Sequence, residues 1–408
     1  MNFKYNKKEK YIVAVSGGPD SMALLNMLYN DGYTNLIVCH VNYHRRKESN
    51  YEQEQVSAWA INHNLKIEVL DTSNMLPKGN FQAWARDVRY KFFKTTYINE
   101  NAKGLFIAHN LDDNLETYLL QKKKGGFYPY YGLKEESTYL NMYVYRPLLS
   151  IRKKDLLEYC KTNNVFYSID SSNLENHYSR NIIRHSIVEN ISKEDLDNLL
   201  LEIANKNEYN NKINNKIDEL DNNGIKLFDF SLINDEDKET FIYLYLIKNS
   251  GLFSRKLTHY YVKECLNVIK SNKPNAQIKF SDNVYLVKYY DKFKLVRLRK
   301  PFDYVIDKPQ VVDNDIVSCN LTGDLSFFKI TEDSFPLRLR TAKEKDVVKI
   351  GNLVKQVNRL FIDYKVPKWQ RVQYPVLVDK NDKIVYLPIY NSITQKNIAD
   401  KIMFVIKW

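Results

Sequence analysis

Short apolar runs alternate with amphipathic stretches along the first third of the chain. Residues 11–15, 36–41, 66–70 and 104–108 are apolar runs of strand length. Between them, residues 22–30, 52–63, 81–101 and 112–121 space their apolar positions as helices do, and the first of these stops at Asp31-Gly32. Buried strands separated by helices at this pitch predict a parallel sheet covered on both faces. Ligands of such folds bind beyond the carboxyl ends of the strands. Segments 16–21 and 109–116 each follow a strand end, so the pattern aims both at one crevice.

The later chain is less regular. Residues 152–164, 191–223, 241–248 and 258–270 read as helices, and 277–299 alternates as a β-hairpin about Tyr289-Tyr290-Asp291-Lys292. Residues 308–324 read as a linker. From 337 onward, β-like runs at 337–340, 376–379 and 384–388 surround one helical piece, 351–363. No fixed-period repeat is present. The expected class is α/β: an N-terminal Rossmann-like domain with a parallel sheet over 1–188, a mostly helical middle domain over 189–305, and a small α+β C-terminal domain over 325–408.

Composition changes this picture only a little. The 408 residues are 44% hydrophobic, enough for roughly two or three domains with real cores. Lys and Arg number 61 against 49 Asp and Glu, for a net charge of +12. That balance suits a polyanionic partner such as nucleic acid. Abundant Tyr and Asn with only 12 Gly point to an AT-rich coding bias, which also inflates Lys and discounts the charge signal. Cys39, Cys160, Cys265 and Cys319 form no CxxC pair, so nothing suggests a zinc ribbon or redox couple, and a reducing cytoplasm is expected. The basic N-terminus precedes an apolar stretch too short for a secretion signal, and no apolar run has membrane length, so no membrane partner is expected.

The chemistry concentrates in Ser16-Gly17-Gly18-Pro19-Asp20-Ser21, between the first strand and helix. Two glycines let a ligand approach the main chain, and N–H groups of such a turn and helix start cradle anions. Asp20 or Ser21 is expected to cap the helix. The stretch is neither GxxxxGK[ST] nor GxGxxG. It resembles the SGGxDS pyrophosphate loop of the N-type ATP pyrophosphatases, the PP-loop family.

Further stretches narrow the resemblance. "ARDVRYKFF" carries Arg86 and Arg89, and "IAHNLDDNLETYLL" carries His109, Asp112, Asp113 and Glu116. Both resemble signatures of the tRNA(Ile)-lysidine synthase family. "RPLLSIRKKDL", "DSSN", "RNIIRHSI", "LRLRTAKEKDVV" and "KQVNRLFIDYKVPKWQRVQYPVLVD" follow in the family's order, so the resemblance spans nearly the whole chain. Two stretches depart from it: "HVNYHRR" stands where HVDHGLR is usual, and "KKKGGFYPYYGLK" has Lys where an Arg-Gly pair is usual.

The resemblance implies ATP-dependent ligation of lysine to C2 of the wobble cytidine in the CAU anticodon of tRNA(Ile). ATP adenylates the C2 oxygen and pyrophosphate leaves. The lysine ε-amine then displaces AMP, giving lysidine and changing codon reading from AUG to AUA. By that implication Ser16, Gly17, Gly18, Pro19, Asp20 and Ser21 hold ATP, and Asp20 and Asp113 are candidate Mg²⁺ ligands. Arg86, Asp113 and Glu116 are candidates for holding lysine. Those three and His109 are the catalytic candidates, with the choice of general base open.

Lys122, Lys123 and Lys124, and Lys355, Arg359, Lys368 and Arg371 within a wider basic set interleaved with Tyr364 and Trp369, are expected to meet RNA phosphates. The resemblance also admits a homodimer. Phe92, Phe93 and Tyr97 read as core. Ordinary alternatives stand beside these roles: Asp112 and Asp113 suit a helix start, and Arg86 and Arg89 suit a solvated helix face. A tRNA thiolase would need cysteine pairs that are absent. A silent tRNA-binding protein would not need the intact Ser16–Ser21 loop and the His109/Asp113/Glu116 set.

Overall fold

A computed structural model describes residues 2–45, 48–77, 79–168, 183–250, 257–322, 325, 328–350, 353–390 and 404–407. The chain divides into two compact units, Met1–Asn210 and Asn211–Trp408.

The first unit holds a six-stranded sheet. Its strands are β1 (Tyr11–Ala14), β2 (Leu36–Asn42), β3 (Lys66–Asp71), β4 (Gly104–Ile107), β5 (Glu136–Tyr139) and β6 (Met142–Tyr145), in the order β3-β2-β1-β4-β6-β5. All neighbours are parallel except the edge hairpin β5–β6. Strand side chains alternate between faces. On one face Tyr11, Val13, Val38 and Phe106 pack with Met22, Leu24, Leu25 and Leu28 of α1 (Pro19–Asn30), Val56 and Ala60 of α2 (Ser49–Asn62), and Leu156 and Cys160 of α5 (Lys153–Thr162). On the other, Ile12, Ile37, Cys39 and Leu105 pack with Tyr90 and Phe93 of α3 (Phe81–Asn99), joined by Phe92 and Tyr97 as expected. Burying each large aliphatic side chain stabilises the fold by about 1.5–3 kcal/mol.

Helix α4 (Leu111–Lys124) packs through Leu111, Leu115 and Tyr118 against Ile183 and Val188 and against Ile203 of α6 (Lys193–Leu220). The Lys-rich loop after α4 is pinned back onto it. Gly132 N donates to Gln121 Oε1, Leu133 N to Asn114 Oδ1, and Asn207 exchanges two hydrogen bonds with the Tyr131 backbone.

In the second unit β7 (Ile225–Lys226), β8 (Asn275–Lys279), β9 (Val284–Tyr289) and β10 (Lys292–Arg297) form an antiparallel sheet, with α7 (Leu227–Ser231), α8 (Asp235–Ser250) and α9 (His259–Lys270) alongside in sequence. The expected hairpin turns at Tyr290, whose φ is 51°. Further on, β11 (Asp303–Ile306), β14 (Leu337–Thr341), β17 (Pro375–Val378) and β18 (Ile384–Tyr386) make a second antiparallel sheet.

Two expectations change here. The stretch read as a linker carries β12 (Val311–Asp313) and β13 (Val317–Asn320), because Val317, Cys319 and Leu321 alternate into a core with Leu337 and Leu377. The helix read over 351–363 begins only at Val357. Leu353–Gln356 is a strand, β16, paired with β15 (Val347–Ile350), and α10 (Val357–Asp363) follows, then α11 (Lys368–Arg371). Among the described residues, no helix is long and apolar enough to cross a membrane.

Gly132 has φ +75°, and a Cβ there would lie 2.3 Å from Asn114 Oδ1. Gly132→Ala is therefore expected to lower stability by about 1–3 kcal/mol, read as a lower denaturation midpoint at unchanged m-value. An unchanged midpoint would mean that the loop is not clasped to α4.

Candidate active site

The loop after β1 is built as a backbone cradle. Gly17 has φ +86°, a conformation glycine adopts without strain, with its Cα facing Glu52 and Val56 of α2. Helix α1 opens at Pro19 with Gly18 as its N-cap and no side-chain cap, so neither Asp20 nor Ser21 has the expected capping role. Pro suits the first helical position because the missing N–H would be unpaired there anyway. Ser21 instead ties the loop together: its Oγ donates to Gly18 O (2.9 Å) and accepts from Ser16 N (3.1 Å). Ser168 N donates to Gly17 O, and His40 Nδ1 lies 2.9 Å from Val15 O.

A cavity of about 210 Å³ opens beside this loop. Ser16, Gly18, Asp20 and Ser21 line it together with Arg86, Arg89 and His109. Helix α3 brings the arginines there, and Arg86 stacks over Tyr90 and Tyr139, 4.7 and 5.6 Å from the ring centres. Arg146 Nε donates to His109 Nδ1 (3.1 Å), an arrangement in which that ring nitrogen is the acceptor.

The start of α4 supplies the acids. Asn110 is its N-cap, in a capping box: Asn110 Oδ1 accepts from Asp113 N and Asp113 Oδ2 accepts from Asn110 N. Asp112 is buried and takes a forked contact from Arg152 Nε and Nη2, plus a 2.7 Å bond from Lys153 N. Glu116 is fully buried and accepts from Arg184 at 2.5 and 3.2 Å. The same guanidinium lies 3.7 Å from Asp113 Oδ1. Sequence reading selected the acids but gave no role to Arg146, Arg152 or Arg184. The signal was present: the three lie in the "RPLLSIRKKDL" and "RNIIRHSI" stretches. "DSSN" and Arg180 lie outside the described residues.

Asp20 is the unsatisfied member of the set. Its Oδ1 is buried without a hydrogen-bond partner among the described residues. Burial raises its pKa to about 6, the Asp113 charge adds to the rise, and Lys153, Asn110 and Arg184 oppose it. No cluster of three or more His, Cys, Asp or Glu suited to a metal occurs among the described residues. Mg²⁺ does not need one: it takes one or two carboxylates and completes its shell with water and phosphate oxygens. An orphaned carboxylate oxygen beside a phosphate cradle, with Asp113 nearby, fits that ion.

The basic candidates are dispersed. Lys122 pairs with Glu202 (2.8 Å), while Lys123 and Lys124 are exposed at the C-terminus of α4, where cations are also favoured by the helix dipole. Lys355 is exposed on β16, Arg359 pairs with Asp363, Lys368 is exposed on α11, and Arg371 Nε donates to Val366 O. Trp369 is buried against Val287 and Val296 beneath the Lys294 ammonium, so it is core and offers no face to a base.

Comparison with known proteins gives two family matches. Residues 1–191 match a model described as the PP-loop domain, and residues 337–395 one described as the TilS substrate C-terminal domain. A tRNA(Ile)-lysidine synthase of Mycoplasma mycoides is 34% identical over 394 residues, covering 94% of this chain and 97% of its own. One of Malacoplasma penetrans is 34% identical over 281 residues, covering 67% and 92%. One of Bacillus subtilis is 28% identical over 423 residues, covering 92% and 89%.

The raised Asp20 pKa fixes the sign of a pH effect. Folded protein keeps a proton that the unfolded chain releases near pH 4, so the folded state loses stability as pH rises from about 4 to about 6. Asp20→Asn removes this dependence. Without ATP or Mg²⁺, the melting temperature of the variant minus that of wild type is expected to grow across this window and then level. A difference flat with pH would mean an ordinary carboxyl.

Proposed function

The chain belongs to the tRNA(Ile)-lysidine synthase family, and from that premise we propose how its own residues divide the work of joining lysine to the tRNA. It is an ATP-using PP-loop enzyme with a tRNA substrate. The observation that carries the division is one cavity lined by a backbone cradle, Arg86, Arg89, His109 and the orphaned carboxylate of Asp20, with the separately held Asp113 and Glu116 on the neighbouring start of α4.

Ser16–Ser21 hold the ATP phosphates through main-chain N–H and hydroxyl donors, aided by the start of α1. Asp20 and Asp113 hold Mg²⁺, which offsets phosphate charge when bound. The C2 oxygen of the wobble cytidine attacks the α-phosphorus, and the bond to the β-phosphate oxygen breaks as pyrophosphate leaves. Arg86, exposed on α3 at the cavity, stabilises the charge that develops on the phosphoryl oxygens or takes the lysine carboxylate.

In the second step neutral ε-amine attacks C2 and the C2–oxygen bond to AMP breaks. One ammonium proton must leave first, and Asp113, when it is not holding the metal ion, or His109 takes it. Glu116 is taken up by Arg184. Its contribution to lysine binding is therefore to hold that guanidinium against Asp113 and Asp20. Asp113→Ala then disables the reaction directly, whereas Glu116→Gln acts through Arg184. The setting is the cytoplasm, where free lysine, ATP and tRNA coexist.

The test is purified protein with labelled lysine, ATP and Mg²⁺, offered an isoleucine tRNA bearing CAU or initiator methionine tRNA. Label is expected only in the isoleucine tRNA, with matching pyrophosphate release, and with at least a hundredfold loss in Asp20→Ala and Asp113→Ala, as for typical electrostatic site groups (~10²–10³). Pyrophosphate release without lysine incorporation would contradict the reading.

A further inference from the structure

A backbone cradle for phosphate needs its N–H groups turned to the anion and its carbonyls turned away. Along the loop after β1 the carbonyl oxygens are taken up by other donors. His40 Nδ1 donates to Val15 O (2.9 Å), Ser168 N to Gly17 O (2.9 Å) and Cys160 Sγ to Pro19 O (3.5 Å), while Ser21 Oγ and Met22 N donate to Gly18 O (2.9 and 3.0 Å).

The peptide between Gly17 and Gly18 is the one that can turn over. Gly17 has φ +86° and Gly18 φ −76°, and neither carries a Cβ to oppose rotation. In a planar trans peptide the carbonyl and the next N–H point in opposite directions. Turned over, this peptide would aim Gly17 O at the phosphates in place of Gly18 N–H. As it stands, Gly18 and Ser16 line the cavity, and Gly18 N makes a long contact, 3.4 Å, to Ser16 Oγ.

The stretch that carries Ser168 is laid along the start of α2. Val165 is buried in one core with Val56, Phe166 packs edge-on against Tyr51 with ring centres 5.9 Å apart, and Ser168 Oγ donates to Glu52 Oε1 at 2.5 Å. Glu52 is 5% exposed, and its own Cβ lies 3.6 Å from where a Cβ on Gly17 would stand. One buried carboxylate thus backs the loop and fixes the residue whose N–H orients it. Neither Glu52 nor Ser168 is among the residues lining the cavity.

We propose that Glu52 and Ser168 are positioning residues for the ATP phosphates: Glu52 holds the Ser168 hydroxyl, and Ser168 N–H locks the Gly17–Gly18 peptide with its carbonyl away from the cavity. The proposal rests on the reading above that Ser16–Ser21 hold ATP. Without the hydroxyl anchor the peptide turns over in part of the molecules, and apparent ATP affinity falls with the competent fraction.

Full-length wild type, Ser168→Ala and Ser168→Thr are compared. ATP Kd is read by equilibrium dialysis with labelled ATP and Mg²⁺, and KM for lysine and for CAU-bearing isoleucine tRNA by lysine incorporation. Ser168→Ala is expected to raise the ATP Kd about tenfold, a competent fraction of about one in ten, with both KM values within about twofold of wild type. Ser168→Thr keeps the hydroxyl and is expected to restore the wild-type Kd. Adding Glu52→Ala to Ser168→Ala is expected to weaken ATP no further, because Glu52 acts through Ser168. A loss shared equally by ATP, lysine and tRNA overturns the clamp, since general loosening of the fold would give it. A wild type that makes lysidine while Ser168→Ala keeps its ATP Kd removes the clamp alone. A wild type whose ATP Kd depends on Ser168 in this way, but which makes no lysidine, removes the functional reading alone.

Discussion

Two guanidinium–carboxylate forks fix the first turns of α4, and the site is arranged around them. Arg152 closes on Asp112 and also donates to Val188 O, while Arg184 closes on Glu116. Both carboxylates are nearly or wholly buried. Burying two charges costs several kcal/mol each in desolvation, so such pairs are poor sources of net stability but strong constraints on position. Here they join α4 to the start of α5 and to the turn at Arg184–Val188. They set where Asp113 stands, and Asn110 fixes it further through the capping box.

The charge pattern of the site follows from this division. Asp112 and Glu116 are matched by arginines. Asp113 is shared between a capping box and the edge of Arg184. Among the described residues, Asp20 is the acid of this set that keeps a buried oxygen unpaired. A cradle of backbone donors at the start of α1 sits next to that oxygen, on adjacent strands β1 and β4 whose carboxyl ends feed α1 and α4. Donors for phosphate and an acid for its counter-ion are thus adjacent for a topological reason, the switch-point crevice of a parallel sheet.

Much of this was legible in the sequence, and what was not has a common cause. The alternation of apolar runs with helices gave β1–β4 and α1–α4, and strand parity explains both faces of the core. The Ser16–Ser21 loop and the Asp112/Asp113/Glu116 cluster stood out locally. The partners did not: Arg152 is 40 residues from Asp112 and Arg184 is 68 from Glu116, separations that no spacing rule reaches. Local reading also missed the β5–β6 hairpin, because its turn places Leu140 and Asn141 at φ 50° and 63° without the usual glycine. It read β12 and β13 as a linker because three- and four-residue strands carry too little alternation to register.

The central claim is that Glu116 acts by holding Arg184. A double-mutant cycle on Glu116→Gln and Arg184→Met, read by chemical denaturation, tests it most directly. Glu116→Gln alone is expected to cost on the order of 3 kcal/mol, because it leaves a half-buried guanidinium without its main partner, and adding Arg184→Met is expected to restore most of that loss. A Glu116→Gln protein as stable as wild type, with strictly additive effects in the double variant, would contradict the account and return Glu116 to direct contact with substrate.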